Sequence, residues 1–287
     1  MSDLPVSKIT TESGLTFDSW ITGPDDGPMV ILLHGFPQSR HTWRRQLPAL
    51  ATAGFRCIAP DQRGYSRGAR PDPAVLSNYH YDKLVSDVVE IAEAAGNQGK
   101  FHLVGHDWGG QVAWGVAARH PGRLASLTIL SRPHPEAFVR ALKAPDGDQK
   151  HRSRHHRAFL DPKTAGLLLE DGARRLRRNL RATGVPDDAA ELYLSVLGNA
   201  DALEAALAWY RAQADLRVEL GAITVPTLYI WGDADASVGP MAAQGTADFI
   251  SAPYRFEALA GIGHFSTDEA PDDINRLLLN HLKQNEI

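Results

Sequence analysis

The sequence predicts an α/β fold: a mostly parallel central sheet with helices on both faces and a helical segment inserted between two of its strands. Three observations lead there. Short aliphatic runs alternate with helix-length amphipathic stretches, the alternation stops after Leu130 and resumes at Pro226, and motifs rich in His, Asp and Gly follow the aliphatic runs. Strands that alternate with helices are joined by crossovers and lie parallel, with both sheet faces covered.

Each element follows from its residues. Val30-Ile31-Leu32-Leu33, Arg56-Cys57-Ile58-Ala59, Phe101-His102-Leu103-Val104 and Leu127-Thr128-Ile129-Leu130 are the near-continuous apolar runs of buried strands. Residues 43–53, 81–95 and 111–119 read as the helices between them. From residue 132 to about 217 only helix-like segments appear. A strand over 226–231, a helix near 241–249, a strand near 254–258 and a last helix after Pro271 complete the pattern. The predicted division is a core of residues 1–131 and 218–287 and a helical insertion of residues 132–217.

Composition bounds the function. The chain has 287 residues, 43% hydrophobic and 22% charged, enough to bury a large core. A formal charge of −4 points away from nucleic-acid and membrane partners. The single cysteine, Cys57, rules out an internal disulfide framework and reads as a small buried residue. The first residues, "MSDLPVSKITTESG", lack the basic and apolar regions of a signal peptide, so a soluble, cytoplasmic protein is the expectation. Between Arg140 and Arg181 stand twelve Lys/Arg against five Asp/Glu. This basic stretch reads as a solvated helix face, with a surface for an acidic partner as the alternative. No metal-ligand spacing and no phosphate-binding glycine loop occurs, so neither metal nor cofactor is expected.

The chemistry lies at the strand ends, where an open α/β sheet places its ligand site. "LLHGFPQS", "DQRGYSRG", "VGHDWGG", "WGDAD" and "GIGHF" all fall there. "VGHDWGG" has the G-x-S-x-G frame of a nucleophile elbow with Asp107 in the serine position. A serine needs a base before it attacks an acyl carbon, whereas a carboxylate is already ionised at neutral pH. Attack by a carboxylate on an ester would give an anhydride; attack on a saturated carbon gives an ordinary ester. Asp107 therefore points to an alkylating substrate, an epoxide or a carbon bearing halide. In chain order the reactive groups run Asp107, Asp235, His264, the nucleophile–acid–histidine order of an α/β hydrolase.

On these motifs the sequence resembles the α/β-hydrolase superfamily over nearly its whole length. His34-Gly35-Phe36-Pro37 with "GHDWGG" resembles its epoxide hydrolase branch, and the haloalkane dehalogenases are near relatives. The resemblance implies an α/β-hydrolase fold whose insertion is a helical cap, and a small-molecule substrate, an epoxide. It makes Asp107 the nucleophile and His264, oriented by Asp235, the base that activates water. It makes the backbone amides of Phe36 and Trp108 the oxyanion donors, with Pro37 shaping the Phe36 loop. Asp233 is left to a local turn, Asp61 to a structural loop, and His34, His102 and His106 to structural roles.

The branch opens epoxides with cap phenols, commonly two tyrosines. Tyr210 in "LAWYRA" matches the second. The neighbourhood of the first, "QKHRSRHHRAF", contains no tyrosine; His155 matches best, His156 follows, and Tyr193 is a further donor in the insertion. A dehalogenase would use the same Asp107 with two halide donors. Trp108 supplies one, but Phe36 stands where an asparagine is usual, leaving Trp209 as a substitute. Fluoroacetate dehalogenases usually carry an arginine where Trp108 stands. A non-catalytic binder is favoured only by the missing tyrosine, and Asp107 argues against a serine esterase.

Overall fold

The computed structural model describes residues 4–214 and 218–287. The predicted end of the insertion, residue 217, lies outside them. Eight strands form one sheet: β1 (Val6–Thr10), β2 (Thr16–Thr22), β3 (Met29–Leu33), β4 (Arg56–Pro60), β5 (Phe101–His106), β6 (Leu124–Leu130), β7 (Thr227–Gly232) and β8 (Tyr254–Leu259). Their spatial order is β1-β2-β4-β3-β5-β6-β7-β8. All pairings from β4 to β8 are parallel. β1 and β2 pair with each other, and β2 with β4, antiparallel.

Every residue of β3, β5 and β7 is buried, the signature of central strands covered on both faces. β1 and β2 are additions to the predicted pattern. They form an edge hairpin in which buried Ile9, Phe17 and Trp20 are separated by polar or partly exposed residues, so no continuous apolar run marks them. The helix expected over 43–53 begins at Gln46, after a 3-10 turn at Arg40–Arg45. Pro48 accounts for the shift: lacking an N–H, it fits an α-helix only within the first turn.

Among the described residues between β6 and β7, the named elements are all helices: Pro135–Lys143, Gln149–Arg152, His155–Leu160, Thr164–Ala182, Asp187–Leu197 and Ala200–Ala212. Thr164–Ala182 is interrupted at residues 170–173, where Asp171, Gly172 and Ala173 take left-handed backbone angles. Leu176, Leu180, Tyr193 and Leu194 form a small apolar cluster of their own around Phe265. Ala200–Ala212 instead joins the main core, with Leu203, Leu207 and Trp209 at most 1% exposed. The arginines of the basic stretch are widely paired at the surface, Arg177 with Glu191, Arg181 with Asp187 and Arg174 with Asp171. Such exposed pairs add little to stability.

Candidate active site

The site begins where β5 ends. Asp107 sits between that strand and the helix Trp108–Arg119 with φ 49° and ψ −116°, a sharp turn that lifts its side chain clear of both elements. Strand and helix approach so closely that a β-carbon on Gly109 would collide with the Leu33 carbonyl, and one on Gly105 with Gly109. A β-carbon on Gly35 would stand 2.5 Å from that of Asp107. Glycine is therefore required at all three positions by close backbone approach. The Asp107 N–H donates to the Leu130 carbonyl at 3.1 Å, tying the turn to β6.

The loop after β3, with a cis Phe36–Pro37 bond, brings the Phe36 N–H to Asp107 Oδ1 at 3.0 Å. Trp108 is the first residue of its helix, so its N–H has no acceptor within the helix. The loop after β8 places His264 Nε2 3.6 Å from Asp107 Oδ2. On the far side of the ring, Nδ1 donates to Asp235 Oδ2 at 2.8 Å, since a carboxylate can only accept. Asp235 is fully buried, and its Oδ1 accepts from the Ser237 and Val238 N–H groups at 2.7 and 3.0 Å. The His264 carbonyl accepts from His106 Nε2 at 2.8 Å and from the Ser131 hydroxyl at 3.1 Å, which holds the histidine loop against β5 and β6.

Charge completes the arrangement. Burial by itself would raise the Asp107 carboxyl, but the hydrogen bond and charge of His264 outweigh it and hold the group well below the usual carboxylate range. For His264 burial favours the neutral ring, yet the charges of Asp235 and Asp107 and their hydrogen bonds raise it above the ordinary histidine value. Each group thus favours the charged form of the other.

A cavity of about 960 Å³ opens above Asp107, between the strand ends and the inserted helices. Phe36, Phe138, Phe159 and Tyr210 line it beside His264. Burial, then the charge of Asp107, pushes the Tyr210 phenol well above its usual value, so it keeps its proton as a donor. His155 and His156 line the same cavity. His155 Nδ1 donates to the Arg152 carbonyl at 3.0 Å, which leaves Nε2 of the neutral ring an acceptor. His156 lies 5.5 Å from the Tyr210 ring and 4.6 Å from that of His155, centroid to centroid. Burial lowers both imidazoles, His156 to about 3.

An α/β-hydrolase fold model matches residues 28–271. The chain belongs to the α/β-hydrolase fold family. This α/β hydrolase is 30% identical to epoxide hydrolase A of Mycobacterium tuberculosis over 97% of both chains. It is also 30% identical to epoxide hydrolase 4 of Mus musculus, over 95% of its own length and 78% of the relative's. Among solved structures, an epoxide hydrolase from hot-environment metagenomes superposes with a TM-score of 0.85 at 31% identity, covering 98% of this chain and 99% of the other.

Within this hydrolase, Asp107, Asp235, His264, Phe36 and Trp108 come together at the strand ends, and Tyr210, His155 and His156 reach the cavity from the inserted helices. Tyr193 does not line it; its hydroxyl donates to Asp268 at 2.7 Å. Asp233 accepts from the Gly261 N–H at 2.6 Å, and Asp61 pairs with Arg40. His34 accepts from the Gln62 N–H, and His102 bonds Ser126 inside the sheet layer. Three participants were not anticipated. Gln149 bonds both the Ser237 carbonyl and the Gly239 N–H, and Arg152 donates to the Asp235 carbonyl, so the insertion clamps the acid loop. Arg132, directly after β6, lines the cavity. A charge at the end of a buried strand, in "LSRPHP", was the signal that marked it.

Among the described residues, no group of three or more His, Cys, Asp and Glu is placed to hold a metal ion. No helix among them is long and apolar enough to cross a membrane.

Proposed function

We propose that this chain opens epoxides to vicinal diols through an alkyl ester on Asp107. The observation that carries the reading is a carboxylate at a nucleophile elbow, 3.6 Å from a histidine Nε2, facing a cavity that also holds a protonated phenol. The relatives named epoxide hydrolases support it.

In the first step an Asp107 oxygen attacks a ring carbon and the C–O bond breaks toward the epoxide oxygen. Tyr210 donates to that oxygen as charge develops. The new hydroxyl takes its proton from the phenol, which is reprotonated from solvent; Asp107 becomes a neutral ester, the field holding the His264 proton weakens, and the ring gives that proton up to solvent. Neutral His264 then removes a proton from water, which attacks the ester carbonyl. The Phe36 and Trp108 N–H groups hold the resulting oxyanion. Collapse releases the diol and restores the Asp107 carboxylate. Residues 132–217 act in this reading as the cap over a core of 1–131 and 218–287, supplying the ring-opening donors.

Dehalogenation would use the same nucleophile but needs a second halide donor. Trp209, the substitute, donates its indole N–H to the Arg63 carbonyl at 2.9 Å, so it is already committed.

The test is a single turnover of styrene oxide with enzyme in excess in H₂¹⁸O. The expected diol carries no ¹⁸O, because its new oxygen comes from Asp107, and the label appears in the Asp107 peptide. A labelled first-turnover diol would mean direct attack by water. Bromide release from 1-bromohexane without turnover of any epoxide in a panel would move the reaction to dehalogenation.

Tyr210→Phe is expected to slow ester formation roughly 10²-fold while leaving hydrolysis of a preformed ester near its original rate. Neutral His155 has no N–H to offer at Nε2, so His156→Ala should slow ring opening more than His155→Ala. Rapid-quench measurement of the ester checks both; the reverse order would assign the donor to His155.

A further inference from the structure

Arg132 has no evident task in opening an uncharged epoxide. Its Nε donates to Gln111 Oε1 at 2.8 Å, but its two Nη groups meet no carboxylate and no other acceptor among the described residues. A guanidinium offers five N–H donors in a planar fork, and Arg132 is among the residues that line the cavity. The side chain is held in place: its Cζ lies 4.8 Å from the Phe138 ring centroid and 5.7 Å from that of Trp108. Stacking of this kind pre-organises an arginine for a planar two-oxygen partner.

The surrounding charges leave the guanidinium available. Of the other cavity-lining acids, Asp148 is paired with Arg152 at 2.6 Å, and Glu269 accepts from the Gly263 and Phe265 N–H groups. Asp107 carries the chemistry; its carboxyl is held down chiefly by His264, with Arg132 a minor contributor. Of the insertion's arginines, Arg174, Arg177 and Arg181 pair with surface acids, and the two that also line the cavity are engaged, Arg152 with Asp148 and the Asp235 carbonyl and Arg154 with His151.

We propose that Arg132 is a carboxylate-recognition residue and that the substrate is an epoxide bearing a carboxylate, held by the open Nη edge while Asp107 attacks the ring. This deepens the epoxide-opening reading and rests on it for the reaction, but the anion site is measurable without chemistry.

The experiment has two arms. Binding of 3-phenylpropanoate and 3-phenylpropanamide to the wild type, Arg132→Gln and Arg132→Lys is measured by calorimetry. Turnover of 3-phenylglycidate and its amide is measured on the same three proteins, with kcat and KM separated. The wild type is expected to favour each acid over its amide by roughly 10-fold or more, the size of a charge-assisted hydrogen-bonded pair. Arg132→Gln should erase that ratio, mainly through the KM of the acid, and Arg132→Lys should retain part of it. No acid preference in the wild type, or equal losses on acid and amide in Arg132→Gln, would overturn the proposal and leave Arg132 a positioning residue for Trp108 and Gln111. Should Arg132→Gln fail to fold, the wild-type ratio and Arg132→Lys decide. A binding preference without turnover of any epoxide would sink the reaction and keep the anion site; turnover without preference would do the reverse.

Discussion

Asp107→Ala is expected to lower epoxide turnover by about 10⁴-fold or more, the scale seen when a covalent nucleophile is removed. The loss follows from geometry. Among the other cavity-lining carboxylates, Asp148 is paired with Arg152 and Glu269 with two backbone amides, so neither replaces a group that faces His264. His264 itself, without Asp107, still has Asp235 on Nδ1 and can activate water only against an ester that no longer forms. Alanine keeps a β-carbon at φ 49°, as Asp107 already does, so the backbone strain of the turn is little changed and the fold should be retained. Diol formation followed by chromatography, beside a thermal unfolding curve, separates lost chemistry from lost fold. Activity within about 10-fold of wild type in a folded Asp107→Ala protein would exclude the covalent route on the scale of such removals.

His264→Gln should divide the reaction at its midpoint. Ester formation needs only the ionised Asp107 and a donor to the leaving oxygen, so alkylation should proceed. Hydrolysis loses its base, worth about 10²–10⁴ in rate. Incubation with styrene oxide should therefore raise the intact mass by that of one epoxide, and peptide mapping should place the addition on Asp107. The pH dependence follows from the charges. In the resting pair the charges of Asp235 and Asp107 raise His264; in the ester only that of Asp235 remains, so the ring gives up its proton more readily. Wild-type hydrolysis should accordingly rise with pH as the ester-state imidazole deprotonates, and the ester should accumulate at low pH, where the ring is protonated and cannot act as a base. Ester formation should stay nearly flat over the same range, because Asp107 is held below the usual carboxylate range and remains ionised. Rapid-quench mass spectrometry across pH measures both limbs. A hydrolysis rate that fell with rising pH, or a His264→Gln protein that turned over without accumulating adduct, would remove His264 from the role of base.

Particular elements show how far local pattern reaches. β3 and β5 announce themselves because a strand buried on both faces must be apolar throughout, and their C-terminal motifs follow at once in the chain. β1 and β2 do not, because this edge hairpin leaves many of its side chains partly or fully exposed and its buried ones include polar Ser19. Tyr210 matched the second cap tyrosine by its "LAWYRA" surroundings, and Tyr193 was a further donor in the same insertion. Packing separates them: one bonds Asp268 beneath the small apolar cluster, and the other faces the cavity above Asp107. His155 and His156 are adjacent in the chain, yet a single backbone carbonyl, that of Arg152, sets the tautomer of one and leaves the other unconstrained.

The sequence by itself determined the alternating sheet, the strand-end position of Asp107, Asp235 and His264, and the choice of a carboxylate over a serine. These are local matters of periodicity, short motifs and functional-group chemistry. Only the tertiary structure decided that the His264 ring stands between Asp235 and Asp107, that Trp209 is committed to the Arg63 carbonyl and that Arg132 lines the cavity. Each depends on groups from distant parts of the chain meeting in a buried space, where a few ångströms of separation and the exclusion of water set proton positions and charge.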